Sequence, residues 1–208
     1  PFIIETFFEN REIPLTIYAL EETIEVLKKH SFNNVIWPDF TKIKLLRKDA
    51  FSLILKPIKL DEIIKIHNYS IKAIKANHIS GACGFVIKKN HQGFVISGDT
   101  HINPHIWEEI NNDEEIRSLI IECSYPDKLQ ELAKLTKHLT PELIANELEK
   151  LTRKNLSVFY YHLKPSYNKE LLKDIKKHKL LTYNGKILKE GDVIHIETGS
   201  IESTVLSE

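Results

Sequence analysis

The stretch Gly93-Phe94-Val95-Ile96-Ser97-Gly98-Asp99-Thr100 constrains this chain more than any other. A short apolar run that stops at a glycine and an aspartate is how a buried strand delivers a carboxylate to the rim of a sheet. Gly98 can take a backbone conformation closed to residues with a Cβ, so it can turn Asp99 out of the ladder and into a cleft. A solvated strand-end turn is the plainer alternative. Two histidines sharpen the choice, because His78 follows the run Ile71 to Asn77 and His162 follows Val158 to Tyr161. Neighbouring strands that end at one sheet edge bring distant residues together. Two imidazoles and a carboxylate are ligands preferred by zinc and several other divalent metals, although three such groups do not fill even one four-coordinate site.

The remaining periodicities give the frame. Ile13 to Tyr18 reads as a strand, and Leu20 to His30 as a helix with Leu20, Ile24 and Leu27 on one face. Residues 32–40, with Trp37, Pro38 and Phe40 among asparagines, read as an ordered loop of the kind that lines sites or plugs a core edge. Phe51 to Ile58, Tyr69 to Ala76, Cys83 to Ile87 and Phe94 to Ser97 are short apolar runs separated by turn residues, the spacing of an antiparallel meander. His91 falls at a polar hairpin tip and is expected to be exposed. After Asp99 the pattern changes to helices over Pro104 to Ile110, Leu129 to Ala133, Thr140 to Leu151 and Tyr167 to Lys177. Strands over Ser118 to Cys123, Leu156 to Tyr161 and Val193 to Ile196 alternate with them. Sheets covered by helices follow, an α+β fold in a single domain over residues 1–208.

His138-Leu139-Thr140-Pro141 is a separate signal. It sets an imidazole, a hydroxyl and free backbone N–H groups at a helix N-terminus, where phosphate-like anions are favoured; the alternative is a plain cap with an incidental histidine. Glu122-Cys123-Ser124 ends the preceding strand and is placed to face the same region. Cys123 has no base beside it in the sequence and is not expected to be a nucleophile.

Lysine plus arginine and aspartate plus glutamate each number 29, so the formal net charge is zero, and no basic run is interleaved with aromatics. A nucleic-acid partner is therefore not expected. No apolar stretch approaches the roughly 20 residues that span a bilayer, which leaves no membrane partner either. The two cysteines, Cys83 and Cys123, sit in apolar runs and fit small buried thiols in a reducing cytoplasm. Methionine is absent and the chain begins at Pro1, from which an N-terminal truncation is expected.

Taken in order, Ser97-Gly98-Asp99-Thr100, Ile121-Glu122-Cys123-Ser124-Tyr125, His138-Leu139-Thr140-Pro141-Glu142-Leu143 and His162-Leu163-Lys164-Pro165 resemble the class II cyclic-nucleotide phosphodiesterases, a branch of the metallo-β-lactamase superfamily. Leu20 to Thr23 and Phe32 to Pro38 extend the likeness to nearly the whole chain. The resemblance implies a metallo-β-lactamase-like αββα four-layer sandwich, incomplete at its N-terminus, with two divalent metal ions, usually zinc, at the strand ends. In that pattern Asp99 bridges the metals, His78 serves one and His162 the other, while His138 and Thr140 meet the substrate and His138 donates a hydrogen bond or proton. The implied reaction is hydrolysis of 3′,5′-cyclic AMP or cyclic GMP to the 5′-monophosphate. The family's leading His-x-His-x-Asp-His motif is absent from this sequence, so the chain as given is expected to be metal-poor or inactive. An RNA-processing phosphodiesterase of the same superfamily and a non-catalytic binding or dimerisation scaffold are the alternatives, and a homodimer is left open.

Overall fold

Most apolar runs beyond residue 60 pair into one sheet, and their directions decide where the site lies. The computed structural model describes residues 1–153, 155–195 and 200–203. The chain divides into two units, Pro1–Lys59 and Leu60–Glu208.

In the first unit, helix α1 (Phe2–Thr6) precedes strand β1 (Leu15–Leu20), helix α2 (Glu21–His30) and strand β2 (Leu53–Ile58). Its core gathers Ile4, Phe32, Phe40 and Leu53, with Leu15, Ile17 and Trp37 packed against them. The loop over residues 32–40 is ordered by its asparagines. Asn33 Oδ1 accepts from the Val35 and Ile36 amides, and Asn34 Oδ1 accepts from the Asp39 amide. One expectation is corrected here: the run ending at Ile58 does not join the antiparallel meander. It pairs in parallel with β1, Leu15 opposite Leu53. A short apolar run looks the same in sequence whichever partner it takes.

The second unit holds a seven-stranded sheet in the order β3 (Ile63–Ile66), β4 (Tyr69–Lys75), β5 (Cys83–Lys89), β6 (Gln92–Ile96), β7 (Ile116–Glu122), β8 (Ser157–Tyr161) and β9 (Lys186–Ile187). Strands β3 to β6 are successively antiparallel, and β6 to β9 are successively parallel. Two reversals restore direction, so β4, β6, β7 and β8 all run the same way and end at one edge. That edge carries the site. The β5–β6 hairpin turns at Asn90 and His91, both with positive φ (51° and 60°), the signature of a type I′ turn. His91 is exposed there, yet its Nδ1 lies 2.7 Å from a Glu115 carboxylate oxygen.

Helices α3 (Pro104–Asn112), α4 (Gln130–Thr136), α5 (Pro141–Leu148) and α6 (Asn168–Lys177) follow the parallel strands. Ile106, Ile110, Ile144, Leu171 and Ile175 from these helices join Val95, Leu119, Ile121, Val158 and Tyr160 in one core. Each fully buried aliphatic side chain there stabilises the fold by about 1.5–3 kcal/mol relative to exposure. The core thereby fixes the strand ends that the chemistry needs. A last antiparallel pair, β10 (Asp192–His195) with β11 (Ser200–Ser203), lies beyond the sheet in sequence. Ile196, expected at the end of that strand, falls outside the described residues.

Candidate active site

The common edge is built by local turns that push polar side chains off the strand ends. Gly98 takes φ +62°, and a Cβ there would stand 2.7 Å from the Cys83 carbonyl oxygen, so only glycine fits the turn that presents Asp99. Beyond β8, His162 itself is left-handed at φ 61°. A histidine held in that region stores strain that the surrounding structure must impose. Beyond β4, the chain leading to His78 is tied to the segment after Asp99. The Asn77 amide donates to Thr100 Oγ1 at 2.9 Å, and Asn103 Nδ2 donates to the Lys75 carbonyl at 2.8 Å.

These turns bring the predicted residues together. Ligand atoms of His78, Asp99 and His138 all lie within 4.8 Å of one another. His162 Nε2 stands 3.8 Å from Asp99 Oδ2. The rings of His78 and His138 are 5.0 Å apart, and those of His138 and His162 stack at 5.5 Å. His78 Nδ1 is buried and has no hydrogen-bond partner among the described residues. Buried polar nitrogens are rarely left unpaired in folded proteins, so this one fits a group that is not protein. Three imidazoles and a carboxylate with one orphaned nitrogen suit a divalent cation.

His138 enters the cluster from the loop between α4 and α5, after Lys137, which caps α4 in a left-handed conformation (φ 56°). Its position is fixed from three sides. The His138 amide donates to the Ala133 carbonyl at 2.8 Å, the His101 ring donates to the His138 carbonyl at 2.7 Å, and His138 Nδ1 lies 2.7 Å from Glu122 Oε1. Glu122 is fully buried at the end of β7 and is the hub of the site. It also accepts from the Thr100 amide, the Ser124 hydroxyl and the Leu139 amide. With Nδ1 turned to Glu122, the Nε2 nitrogen is the one left for the cluster. Carboxylate–histidine pairs of this kind set the tautomer and orient the ring.

The helix start near His138 differs from expectation. Thr140 is fully buried and caps α5, its hydroxyl accepting from the Leu143 amide at 3.3 Å. The Glu142 amide is taken by Asp127 Oδ1 at 2.9 Å, and Pro141 has no N–H. The expected free backbone N–H groups are therefore already paired. Asp127 comes from the loop after β7, fifteen residues back, where no local motif announces it.

Two further residues escape a reading by strand ends alone. Tyr161, just before His162, has its hydroxyl pushed up to about 12 by burial, with the Asp99 and Glu122 charges adding to the effect against a hydrogen bond to Ser97. Tyr125 is buried edge-on to His138 at 5.8 Å between ring centroids. Cys123 is fully buried, and burial raises its thiol well above the ordinary range, with the Glu122 charge reinforcing the shift. It is no nucleophile.

The sequence profile of the class-II cAMP phosphodiesterases matches residues 5–187. The chain belongs to that family. A Yersinia pestis protein named "Probable 3′,5′-cyclic-nucleotide phosphodiesterase" is 27% identical over 183 residues, covering 73% of this chain and 50% of its own length. The chain thus spans about half the length of the curated relatives it matches. Among solved structures, unliganded yeast PDE1 superposes with a TM-score of 0.71 at 22% identity, over 90% of this chain and 62% of its own. The metallo-β-lactamase fold protein YhfI from Bacillus subtilis does so with a TM-score of 0.61 at 15% identity, over 89% of this chain and 65% of its own. The fold is that of the metallo-β-lactamases, and the His/Asp cluster is its candidate divalent-metal site. No described helix is long and apolar enough to cross a membrane.

Proposed function

We propose that this chain carries the strand-end half of a site that hydrolyses a 3′,5′-cyclic nucleotide, cyclic AMP or cyclic GMP, to the 5′-monophosphate. The observation that carries the reading is the meeting of His78, Asp99, His138 and His162 at one edge, with Glu122 behind His138. His78, Asp99 and His162 are the residues that would hold divalent metal. Zinc suits imidazole and carboxylate donors of this type. When bound, the metal supplies positive charge against the charge that develops on the phosphoryl oxygens and makes water more acidic.

In the reaction, water adds to phosphorus and gives up a proton to solvent, from which His138 is reprotonated after turnover, and the bond from phosphorus to the 3′ oxygen breaks, leaving a free 3′-hydroxyl and a 5′-phosphate. His138 delivers a proton from Nε2 to the departing 3′ oxygen, while Glu122 holds Nδ1–H and stabilises the imidazolium before the transfer. We carry His138 forward as the substrate-facing group, and Thr140 as the cap of the helix that follows it. A small anion needs no basic groove, which agrees with a net charge of zero. A cytoplasmic location is part of the same proposal, since Cys83 and Cys123 are both free thiols.

The test is product analysis. Metal-loaded protein extended ahead of Pro1 to include the family's His-x-His-x-Asp-His motif, given 3′,5′-cyclic AMP or cyclic GMP, is expected to release the 5′-monophosphate and to stop when a chelator is added. Release of the 3′-monophosphate, or of nothing from a fully metallated sample, contradicts the reading.

A further inference from the structure

The motif His162-Leu163-Lys164-Pro165 contributes a lysine that neither the metal cluster nor the proton step uses. Lys164 is half-buried, and its ammonium lies over the Tyr125 ring, 4.9 Å from the centroid. Tyr125 in turn meets His138 at 5.8 Å and Tyr167 at 6.0 Å between centroids. One aromatic ring therefore separates the ammonium from the proposed proton donor. The backbone is pinned as well, because the Tyr167 amide donates to the Lys164 carbonyl at 2.9 Å in a short 3-10 turn over Pro165–Tyr167.

What Lys164 lacks is informative. The half-buried Lys72 and Lys88 are neutralised by Glu109 and by Asp113 with Glu115. Among the described residues no carboxylate pairs with Lys164. A ring face attracts an ammonium but takes up none of its charge, so the N–H donors stay available for an anion.

We propose that Lys164, seated on Tyr125, binds the phosphate oxygens of the nucleotide, as a substrate-binding residue at the rim of the histidine cluster. The identity of the anion as a nucleotide rests on the function proposed above; the cation site rests on the geometry alone. The 5′-monophosphate product carries more negative charge than the cyclic diester, so Lys164 holds product more strongly than substrate.

Calorimetric titration of metal-loaded protein with 5′-AMP, adenosine and inorganic phosphate tests this, using wild type, Lys164→Gln and Lys164→Arg. Lys164→Gln is expected to weaken 5′-AMP about tenfold, as for loss of one charge-assisted hydrogen bond at a half-exposed site, and to leave adenosine unchanged. Lys164→Arg should stay within about threefold of wild type, because the charge is retained. Tyr125→Leu should weaken 5′-AMP by about two- to fivefold, the loss of one cation–π contact. Lys164-dependent binding of inorganic phosphate with no binding of 5′-AMP would uphold the cation site and remove the nucleotide. Equal 5′-AMP affinity in wild type and Lys164→Gln, or no anion binding by wild type, would overturn the proposal.

Discussion

Two carboxylate–histidine pairs in the second unit have nearly the same length, one through Nδ1 and the other through Nε2 of the imidazole. Glu122 meets His138 at 2.7 Å, and Asp127 meets His178 at 2.6 Å. Their surroundings separate them. Glu122 is fully buried, and its histidine turns the other ring nitrogen toward Asp99 and His78. Asp127 binds the Glu142 amide at the start of α5 and Lys177 near the end of α6, so its pair staples two helices. The same two functional groups are assigned to chemistry in one place, under the function proposed above, and join two helices in the other. What separates them is that His138 belongs to the cluster with His78 and Asp99, whereas the partner of His178 also binds the start of one helix and a lysine of another.

The largest effect expected is at the cluster itself. Asp99→Asn should abolish most cyclic-nucleotide turnover and lower metal content together, because it removes the carboxylate among three imidazoles; near-normal turnover with full metal would count against the assignment. Next comes His138→Ala, which should lower kcat by roughly 10²- to 10⁴-fold while metal content holds, the range for losing a positioned acid or base. Metal loss in parallel with activity would instead make His138 a ligand.

The staple behaves differently. Burial alone would raise the Asp127 carboxyl, but hydrogen bonds from His178, the Glu142 amide and Lys177 outweigh it and hold the pKa below the ordinary value. A depressed carboxylate contributes stability that is present above its unfolded pKa of about 3.9 and is lost as pH falls through the lower folded value. Asp127→Asn should therefore lower the melting temperature at neutral pH, with the gap to wild type closing below about pH 4. A gap that widens in acid would contradict the linkage. The smallest effect belongs to Thr140→Ala, which should cost about 1 kcal/mol of stability through loss of the α5 cap and leave kcat within about twofold. A large drop in kcat there would return Thr140 to the substrate site.

Much of this was legible in the sequence. His78, Asp99 and His162 were placed by the rule that apolar runs ending in polar residues deliver them to a sheet edge, and Gly98 announced its own turn. The partner of β2 was not legible, because Leu53–Ile58 carries the same apolar pattern whether it joins a meander or a parallel pair. Nor was the occupancy of the α5 start, since Asp127 reaches the Glu142 amide from a separate loop. Glu122 left a fainter trace. An acid closing the run Leu119-Ile120-Ile121 must be paired if buried, and here four donors converge on it.

The contrast between the two pairs is tested most directly by turnover of 3′,5′-cyclic AMP in Glu122→Gln beside Asp127→Asn, both metal-loaded and measured below their melting temperatures. Removing the charge behind His138 should lower kcat by at least about 10²-fold with metal retained, whereas removing the charge beside His178 should change kcat by no more than about twofold. Equal losses in the two variants would contradict the division of labour and reduce Glu122 to a second staple.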